Sequence, residues 1–400
     1  MSEKAIKVPQ SDTDSKFRTQ DMRDWLEAVE ELGQLKHVKG AHWDKELGAI
    51  TEINNRRRGP CLLFDDIGEY PSGYRVATGT TGSPARLGGM LGFPTNLSSS
   101  ELVQALRGKP SEWESQAANF PPEYVESAPI LENIKSGKDI NLLEFPVPKW
   151  HELDGGRYIG TGSAVVTKDW ESEWINLGAY RMMVHDEKSC GLNMVEGKHG
   201  RQQIDRYFKA GKPFPVVASL GHHPLLFLFA GLEVAYGLSE YNYVGAILGQ
   251  RFQVVKGEVT GLPMPAHSEL VLEGWCRPGN LKMEGPLGEF HGYYSGSEKA
   301  APILEVERIY HRNDPIILGT PPGRPPHDYS YGKTVLRSTM LQETLEKAGV
   351  PGVVGCWCDE VGGARMLLVV SIKQAYQGHA RQAGLVACQC HVGAYLGRYV

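Results

Sequence analysis

Several features that mark particular protein classes are missing from this sequence of 400 residues. No apolar run reaches the roughly 18 residues that a membrane-spanning helix needs. The most apolar stretch, 224–238, is interrupted by Gly231, Glu233 and Gly237, and it is predicted to be buried core. The formal net charge is only −5 and no basic stripe is present, so nucleic-acid binding has no electrostatic support. The sequence therefore predicts neither a membrane protein nor a nucleic-acid-binding protein.

Signals for export are also missing. Residues 1–18 are polar and charged without an apolar core segment, so they are predicted to form a disordered tail rather than a secretory signal. The seven cysteines are odd in number and include no CxxC motif, which favours free thiols and a cytoplasmic location. The pairs Cys356/Cys358 and Cys388/Cys390 leave zinc binding as an alternative. Their CxC spacing in apolar surroundings favours buried structural cysteines.

Common catalytic and nucleotide-binding patterns are absent as well. No GxGxxG sequence follows a predicted strand, so dinucleotide binding of the Rossmann type is unsupported, and no GxSxG elbow surrounds Ser239. His222 and His223 are adjacent, and adjacent side chains on an extended chain point to opposite faces. A structural role is therefore predicted for them rather than a shared metal. His185 and Asp186 lie in a charged stretch and are predicted to occupy a solvated loop.

The hydrophobic fraction of 41% is sufficient for a large core, and the length predicts two or three domains. Apolar spacing predicts helices at 21–33, 84–91, 101–107, 200–210, 334–348 and 375–383, and strands at 61–64, 74–78, 163–167, 251–255, 269–273, 302–307, 366–371 and 385–388. Strands and helices alternate near both ends, whereas the middle is mostly β with one helix. The Pro-, Ser- and Glu-rich segment 109–129 is predicted to be a connector.

The run from Glu284 to Tyr294 carries the strongest local signal. Glu284 and Glu289 are separated by Gly-Pro-Leu-Gly, which neither a helix nor an alternating strand would contain. The spacer therefore predicts a shaped loop that holds two acids at a set separation. Two carboxylates in unlike environments can have their pKa values pushed apart, so that one site contains both an acid and a base. The alternative is a solvated turn with two surface glutamates.

Further motifs surround this loop in a specific order. They are Ala-Pro-Ile-Leu-Glu (128–132), Leu-Leu-Glu-Phe-Pro-Val-Pro (142–148), Asp-Gly-Gly-Arg-Tyr (154–158), Trp-Ile-Asn-Leu-Gly-Ala-Tyr-Arg-Met (174–182), Lys-His-Gly (198–200), Leu-Ser-Glu-Tyr (238–241), Glu-Gly (273–274) and Gly-Arg-Pro-Pro (323–326). Together with the Glu284–Glu289 loop, this series resembles the UbiD family of decarboxylases, which depend on prenylated FMN. The likeness extends from about Ala128 to the end of the chain.

The resemblance implies a mixed α/β fold in which a central split β-barrel of the flavin-reductase type lies between N-terminal and C-terminal α/β regions. The expected domains are 19–120, 121–320 and 321–400, after the tail at 1–18, and the central domain binds the flavin and carries the catalytic groups. The family also implies a homodimer or a higher homo-oligomer. Its members continue past the position of Val400, so the C-terminal domain is expected to be incomplete.

The resemblance also implies a metal and a flavin site. Asn176, His199 and Glu240 match family positions that bind Mn²⁺ or Mg²⁺ beside the flavin phosphate, and amide, imidazole and carboxylate groups suit such an ion. A K⁺ ion is implied near Trp174 and Glu240. The residues expected to bind the cofactor are Asn176, Leu177, Gly178, Ala179, Tyr180, Arg181, Lys198, His199 and Glu240, with Lys373 and His391 as possible extra phosphate contacts.

Arg181, Glu284 and Glu289 match the catalytic triad of the family. The planar guanidinium of Arg181 suits the orientation of a carboxylate, and Glu289 is the expected proton donor. Because a donor must be neutral when it acts, a partly dry pocket is expected around Glu289, with Leu287 and Phe290 in its wall.

The function implied is reversible, non-oxidative decarboxylation of an α,β-unsaturated, aromatic or heteroaromatic carboxylic acid through a covalent adduct with prenylated FMN. Loss of CO₂ from such an acid leaves a carbanion that no side chain can stabilise, so a cofactor is needed. A flavin prenyltransferase would supply the cofactor, and the acid and CO₂ would be the small-molecule partners. Two alternatives remain open, a flavin oxidoreductase and a non-catalytic flavin-binding module.

Overall fold

The computed structural model describes residues 17–232, 234–390 and 399–400. Its helices are α1 (Met22–Glu31), α2 (Glu46–Arg56), α3 (Pro84–Met90), α4 (Ser99–Ala105), α5 (Lys109–Gln116), α6 (His199–Lys209), α7 (Pro224–Ala230), α8 (Glu240–Leu248), α9 (Asp328–Lys347) and α10 (His379–Gln389). Its strands are β1 (Leu35–Lys39), β2 (Cys61–Asp65), β3 (Arg75–Thr78), β4 (Glu123–Tyr124), β5 (Asn133–Ser136), β6 (Tyr158–Gly160), β7 (Ala164–Lys168), β8 (Ile175–Gly178), β9 (Met182–Asp186), β10 (Ser189–Gly191), β11 (Phe214–Ser219), β12 (Gln253–Lys256), β13 (Pro263–Pro265), β14 (Leu270–Glu284), β15 (Lys299–His311), β16 (Ile316–Leu318), β17 (Val353–Cys358) and β18 (Leu368–Ile372).

A curled antiparallel sheet of nine strands forms the centre of the molecule. Its path runs β6-β9-β10-β15-β14-β11-β7-β8, and β5 pairs with β15. The long hairpin of β14 and β15 is its spine, and the inward side chains of β7 and β11 are fully buried. Because a curled sheet packs one face against itself, the strand ends and their loops lie at its rims. The expected mixed fold with a central half-barrel is confirmed.

Smaller sheets flank this centre. The N-terminal sheet has the order β1-β2-β3-β16, so the strand that follows β15 in sequence completes it. The C-terminal hairpin of β17 and β18 packs with α9 and α10 around a separate apolar cluster. The regions are also joined by a buried carboxylate at the start of α9: Asp328 accepts hydrogen bonds from the backbone of Thr80 (2.7 Å) and from that of Thr81.

Local sequence explains the first helix and the apolar run. The Asp21 carboxylate accepts a hydrogen bond from the Arg23 backbone N–H (2.7 Å), which caps α1, and the helix buries Trp25 on its inner face. The apolar run 224–238 contains α7, which is buried along its whole length as expected, but residues 235–237 are exposed, so the prediction was wrong for the end of the run. Among the described helices, none combines the length and apolar character that a membrane span requires.

Several local predictions were wrong. The expected connector contains α5, because Pro110 and Trp113 give it a narrow buried face despite its polar composition. The central region holds α7 and α8 besides the expected helix. Residues 385–388 belong to α10 rather than to a strand, and His185 and Asp186 end strand β9 instead of lying in a loop.

The cysteines and the N-terminal tail were also predicted from composition. All seven cysteines are free thiols, and Cys356 and Cys358 point to the same buried side of β17. Cys388 lies on α10, so its surroundings are helical rather than extended. Most of the expected tail lies outside the described residues, but Phe17 is buried against Gly89.

Candidate active site

Arg181 and Glu284 form a buried ion pair at the rim of the central sheet. Glu284 is the last residue of β14, and Arg181 precedes β9. The Nε of Arg181 lies 2.9 Å from Glu284 Oε1, and one terminal nitrogen lies 2.9 Å from Oε2. Asn193 Nδ2 donates to the same Oε2 at 2.7 Å. The side chain of Glu284 is fully buried. The Arg181 guanidinium therefore compensates its charge, and the Asn193 amide supplies a further hydrogen bond in place of water.

The electrostatics around this pair favour a permanently cationic arginine. Burial is the largest single influence and opposes the charge of Arg181, but the hydrogen bonds and the charge of Glu284, together with the nearby Tyr158 and Glu289, raise the pKa of Arg181 overall. Burial, followed by the charge of Glu284, raises the pKa of Tyr158 well above its usual value. Tyr158 is therefore a neutral hydroxyl, and it donates to the carbonyl oxygen of Pro286 (3.3 Å).

Glu289 approaches the same guanidinium from the other side. Its Oε1 lies 3.5 Å from the second terminal nitrogen of Arg181. The backbone turns tightly here, since Glu289 N–H donates to the carbonyl oxygen of Tyr293 (2.9 Å). Leu287 is buried as expected, but 36% of the Glu289 side chain is exposed, so the dry pocket expected around it is not closed in this conformation.

The Asp-Gly-Gly motif holds both ends of this loop. Gly155 N–H donates to the Pro286 carbonyl (2.8 Å), and a Cβ at Gly155 would lie 1.8 Å from the carbonyl oxygen of Gly285. Only glycine allows that approach. The neighbouring Asp154 carboxylate accepts a hydrogen bond from the Tyr294 hydroxyl (2.8 Å). The loop between the two acids is therefore shaped from outside as well as by its own Gly and Pro.

A second group of predicted residues lies at the start of three elements. Asn176 is in β8, His199 is the first residue of α6, and Glu240 is the first residue of α8. The Leu177 backbone N–H donates to Glu240 Oε2 (2.6 Å), which joins β8 to α8. The Tyr180 hydroxyl accepts from Gly200 N–H (3.0 Å) and interacts with the Asn176 side chain, which joins β8 to α6. These contacts bring all three elements together around one position.

The residues at this position fit a cation beside an anion. Glu240 is buried, and burial raises the pKa of its carboxyl to about 8, so a bound cation would stabilise the ionised form. α6 and α8 both begin beside β8, and the positive end of a helix dipole favours an anion such as a phosphate. Across the described part of the chain, no cluster of three His, Cys, Asp or Glu side chains could hold a metal. The predicted set has two such residues, with an amide as its third ligand.

Some of the remaining residues predicted to bind the cofactor lie near this position, and others lie elsewhere. Gly178 and the neighbouring Gly200 both face Tyr180: a Cβ at Gly178 would lie 2.2 Å from ring atom Cζ, and one at Gly200 would lie 2.5 Å from the hydroxyl oxygen. Ala179 N–H donates to the Ala230 carbonyl (2.9 Å), and Lys198 is the N-cap residue of α6. Lys373 instead follows β18, where its backbone bonds Gly352. His391 lies outside the described residues.

Sequence inspection missed three residues that lie beside the Arg181–Glu284 pair. They are Asn193, Tyr158 and His185; a Cβ at Gly191 would lie 3.1 Å from His185 Nε2 and 3.2 Å from the Cγ of Glu284. Burial lowers the pKa of His185, so it stays neutral at physiological pH. The sequence contained one signal for Asn193. β9 and β10 form a hairpin, and continuing their antiparallel pairing away from the turn places Asn193 opposite Arg181.

Comparison with known proteins gives consistent matches along the chain. Three family models of 3-octaprenyl-4-hydroxybenzoate carboxy-lyase (UbiD) match it, namely the N-terminal domain at residues 26–106, the Rift-related domain at 123–325 and the C-terminal domain at 331–400. The pyrrole-2-carboxylic acid decarboxylase of Pseudomonas aeruginosa is 31% identical over 346 residues, which is 84% of this chain and 68% of that protein.

Solved structures give the same result. The closed form of the vanillic acid decarboxylase of Sedimentibacter hydroxybenzoicus is 31% identical with a TM-score of 0.81, over 93% of this chain and 78% of that one. An evolved dimeric form of the UbiD-class enzyme HmfF from Pelotomaculum thermopropionicum, in complex with prenylated FMN, is 26% identical with a TM-score of 0.83. That alignment covers 94% of this chain and 84% of the HmfF chain.

Proposed function

The chain belongs to the UbiD family of carboxy-lyases, and on that basis we propose that it removes CO₂ reversibly, without oxidation, from an α,β-unsaturated, aromatic or heteroaromatic carboxylic acid. The observation that carries the proposal is the single guanidinium of Arg181, which holds the buried Glu284 on one side and reaches Glu289 on the other. A flavin oxidoreductase has no need for this arrangement of two acids around one fork.

The residues of the site have separate proposed roles in the reaction. Arg181 orients the carboxylate of the substrate, because its planar fork matches that group and its charge is permanent. Glu284 and Asn193 hold the fork in place. Glu289 delivers the proton to the carbon that has lost CO₂, and its exposure leaves it able to regain a proton from water between turnovers. Closure over Glu289 would complete the dry surroundings that a neutral acid needs.

Prenylated FMN is the cofactor we propose, since the relative HmfF was solved with it. When bound, it supplies the electron sink that an sp² carbanion lacks. The residues that would hold it are Asn176, Leu177, Gly178, Ala179, Tyr180, Arg181, Lys198, His199 and Glu240. Asn176, His199 and Glu240 would bind Mn²⁺ or Mg²⁺ at its phosphate, with K⁺ near Trp174 and Glu240.

The proposal extends to the assembly and its setting. We assign the chain to a homo-oligomer, because a UbiD-class relative has been solved as a dimer, and to the cytoplasm, because free thiols persist there. A flavin prenyltransferase is the proposed supplier of the cofactor.

The decisive measurement is CO₂ release from a panel of aryl, heteroaryl and cinnamic-type acids, using protein coexpressed with a flavin prenyltransferase. At least one acid should lose CO₂, and the hydrogen of the product should come from solvent, as deuterium labelling in D₂O will show. Protein loaded with plain FMN should be inactive. Turnover of a reduced nicotinamide with no CO₂ release from any acid would contradict the proposal and favour a flavin oxidoreductase.

His199→Ala is expected to lower the retention of both metal and flavin. The substitution removes one of three proposed ligands, and changes even in the groups that support such ligands lower metal affinity by about 10–100-fold. Flavin absorbance and elemental analysis of the purified protein provide the measurement. His37→Ala is the control, since that imidazole is half exposed and pairs only with the surface residue Glu30. Equal flavin and metal content in both variants would exclude His199 as a ligand.

A further inference from the structure

The segment 285–294, here called the acid loop, is seated on the region that begins α9. The carbonyl oxygen of Phe290 lies 3.2 Å from Nε2 of His327, which is 7% exposed. A Cβ at Gly292 would lie 2.8 Å from the Cα of Arg324, so the backbones touch at a second point. The residue next to the proposed proton donor is thus attached to a different region of the chain.

The hydrogen bond from His327 has a definite direction. A carbonyl oxygen only accepts, so Nε2 must carry the proton. Burial lowers the pKa of His327 to about 4, and the neutral ring therefore has a single N–H group at physiological pH. That group is committed to Phe290.

The Phe290 side chain is held as well. Its ring lies against Gly363, where a Cβ would lie 2.2 Å from ring atom Cδ2, and Gly363 has a φ of +62° that suits glycine. The guanidinium carbon of Arg365 lies 5.9 Å from the ring centroid. Residue 290 is therefore fixed through its backbone and its side chain, whereas Glu289 beside it is turned toward Arg181.

His327 itself is firmly anchored. It is the N-cap residue of α9, and its backbone N–H donates to the Ser330 hydroxyl oxygen (3.1 Å). Ser330 also bonds Glu360 (2.8 Å), whose second oxygen accepts from Arg58 (2.6 Å). These bonds connect His327 to Glu360 in the C-terminal region and to Arg58, just after α2, so the loop is held by a well-supported helix start.

We propose that His327 is a positioning residue. Its hydrogen bond to the Phe290 carbonyl fixes the acid loop and so places Glu289 beside Arg181. The packing of the Phe290 ring on Gly363 is a second contact that fixes the loop. This inference deepens the proposed function and rests on it for the role of Glu289. The loop attachment itself is a property of the protein without cofactor or substrate.

Two substitutions of His327 separate the hydrogen bond from the shape of the ring. In His327→Gln the amide nitrogen stands as many bonds from Cα as Nε2 does, so the donor is kept, whereas the Asn side chain is too short to reach Phe290. Phe290→Ala removes the ring and leaves His327 and α9 intact. His223→Asn is the matched control, because His223 is also a buried histidine at the N-cap of a helix.

The first measurement is amide hydrogen exchange of the acid loop in cofactor-free protein. His327→Asn and Phe290→Ala should speed exchange at 288–293 by about fivefold to tenfold, the factor that corresponds to one lost hydrogen bond or contact of this size. His327→Gln should stay within about twofold of the wild type. His223→Asn should leave the loop unchanged.

The second measurement is steady-state decarboxylation by the loaded enzyme. His327→Asn should lower kcat by about tenfold with KM changed less than twofold, since a misplaced acid affects the chemical step and not binding, and His327→Gln should restore most of kcat. Unchanged loop exchange in His327→Asn would overturn the inference. So would a His327→Gln variant as defective as His327→Asn, or a control that loosens the loop equally. The expected exchange pattern in a protein that decarboxylates no acid would support the loop attachment and count against the proposed function instead.

Discussion

Glu289→Gln is expected to reduce decarboxylation by at least about 10²–10⁴-fold, the range that general acid catalysis supplies. The amide preserves the size and much of the hydrogen bonding, but its N–H groups are far too weakly acidic to deliver a proton. The contact between Glu289 and Arg181 is long, at 3.5 Å, and the side chain is partly exposed, so its loss should barely affect folding. The effect should therefore appear in kcat with the melting temperature almost unchanged.

Solvent deuterium provides the measurement. In D₂O the wild type should place deuterium on the carbon that lost CO₂, and it should exchange the hydrogen of the added product at that carbon. Both processes should almost cease in Glu289→Gln. Glu298→Gln is the matched control, because Glu298 is an exposed acid close to the same loop. Near wild-type turnover and exchange in Glu289→Gln would assign the proton donor elsewhere and leave the loop as a structural turn.

Arg181→Lys is expected to lower kcat/KM by about 10-fold to 10²-fold, although the charge is kept. The arginine binds Glu284 through two nitrogens, Nε and one terminal nitrogen, and turns its other terminal nitrogen toward Glu289. An ammonium group is a single point charge and cannot span both acids. Losing one charge-assisted hydrogen bond costs about 1.5–3 kcal/mol, which is roughly one to two powers of ten in rate.

The buried partner provides a check on this explanation. Glu284→Gln alone should also be severe, and adding it to Arg181→Lys should cost little more than either change alone, because the two residues act as a unit. Arg277→Lys is the control, since that arginine binds Glu305 and Glu307 on the surface. Additive losses in the double variant would show that Arg181 and Glu284 act separately.

The candidate catalytic residues could be named from the sequence because family motifs are local in sequence. The two acids stand five residues apart, and Arg181 lies in an equally compact motif. Arg181, Glu284 and Glu289 were expected from the resemblance, and in the structure the side chains of Arg181 and Glu284 are in contact. The roles assigned to them stay predictions until the variants are measured.

Strand β14 shows where hydrophobic periodicity no longer predicts a strand. Only residues 269–273 of β14 were expected, because beyond Cys276 the strand leaves the core and its alternation of apolar and polar residues disappears. Its outer half is held by pairing with β15, which local composition does not show. Helix α5 was not predicted for a similar reason. Its buried residues are Pro110 and Trp113, and two residues are too few to give a helical pattern of apolar positions.

By itself the sequence determined the family, the mixed fold and the identity of the acids and the arginine, because these follow from motifs and from hydrophobic periodicity within single segments. Only the tertiary structure decided that Asn193 and Tyr158 surround Glu284, that Glu289 stays partly exposed, and that His327 holds the loop beside it. Burial and hydrogen bonding arise between segments that are far apart in the chain. No local pattern specifies them, because they depend on which strands pair and which surfaces the paired strands cover.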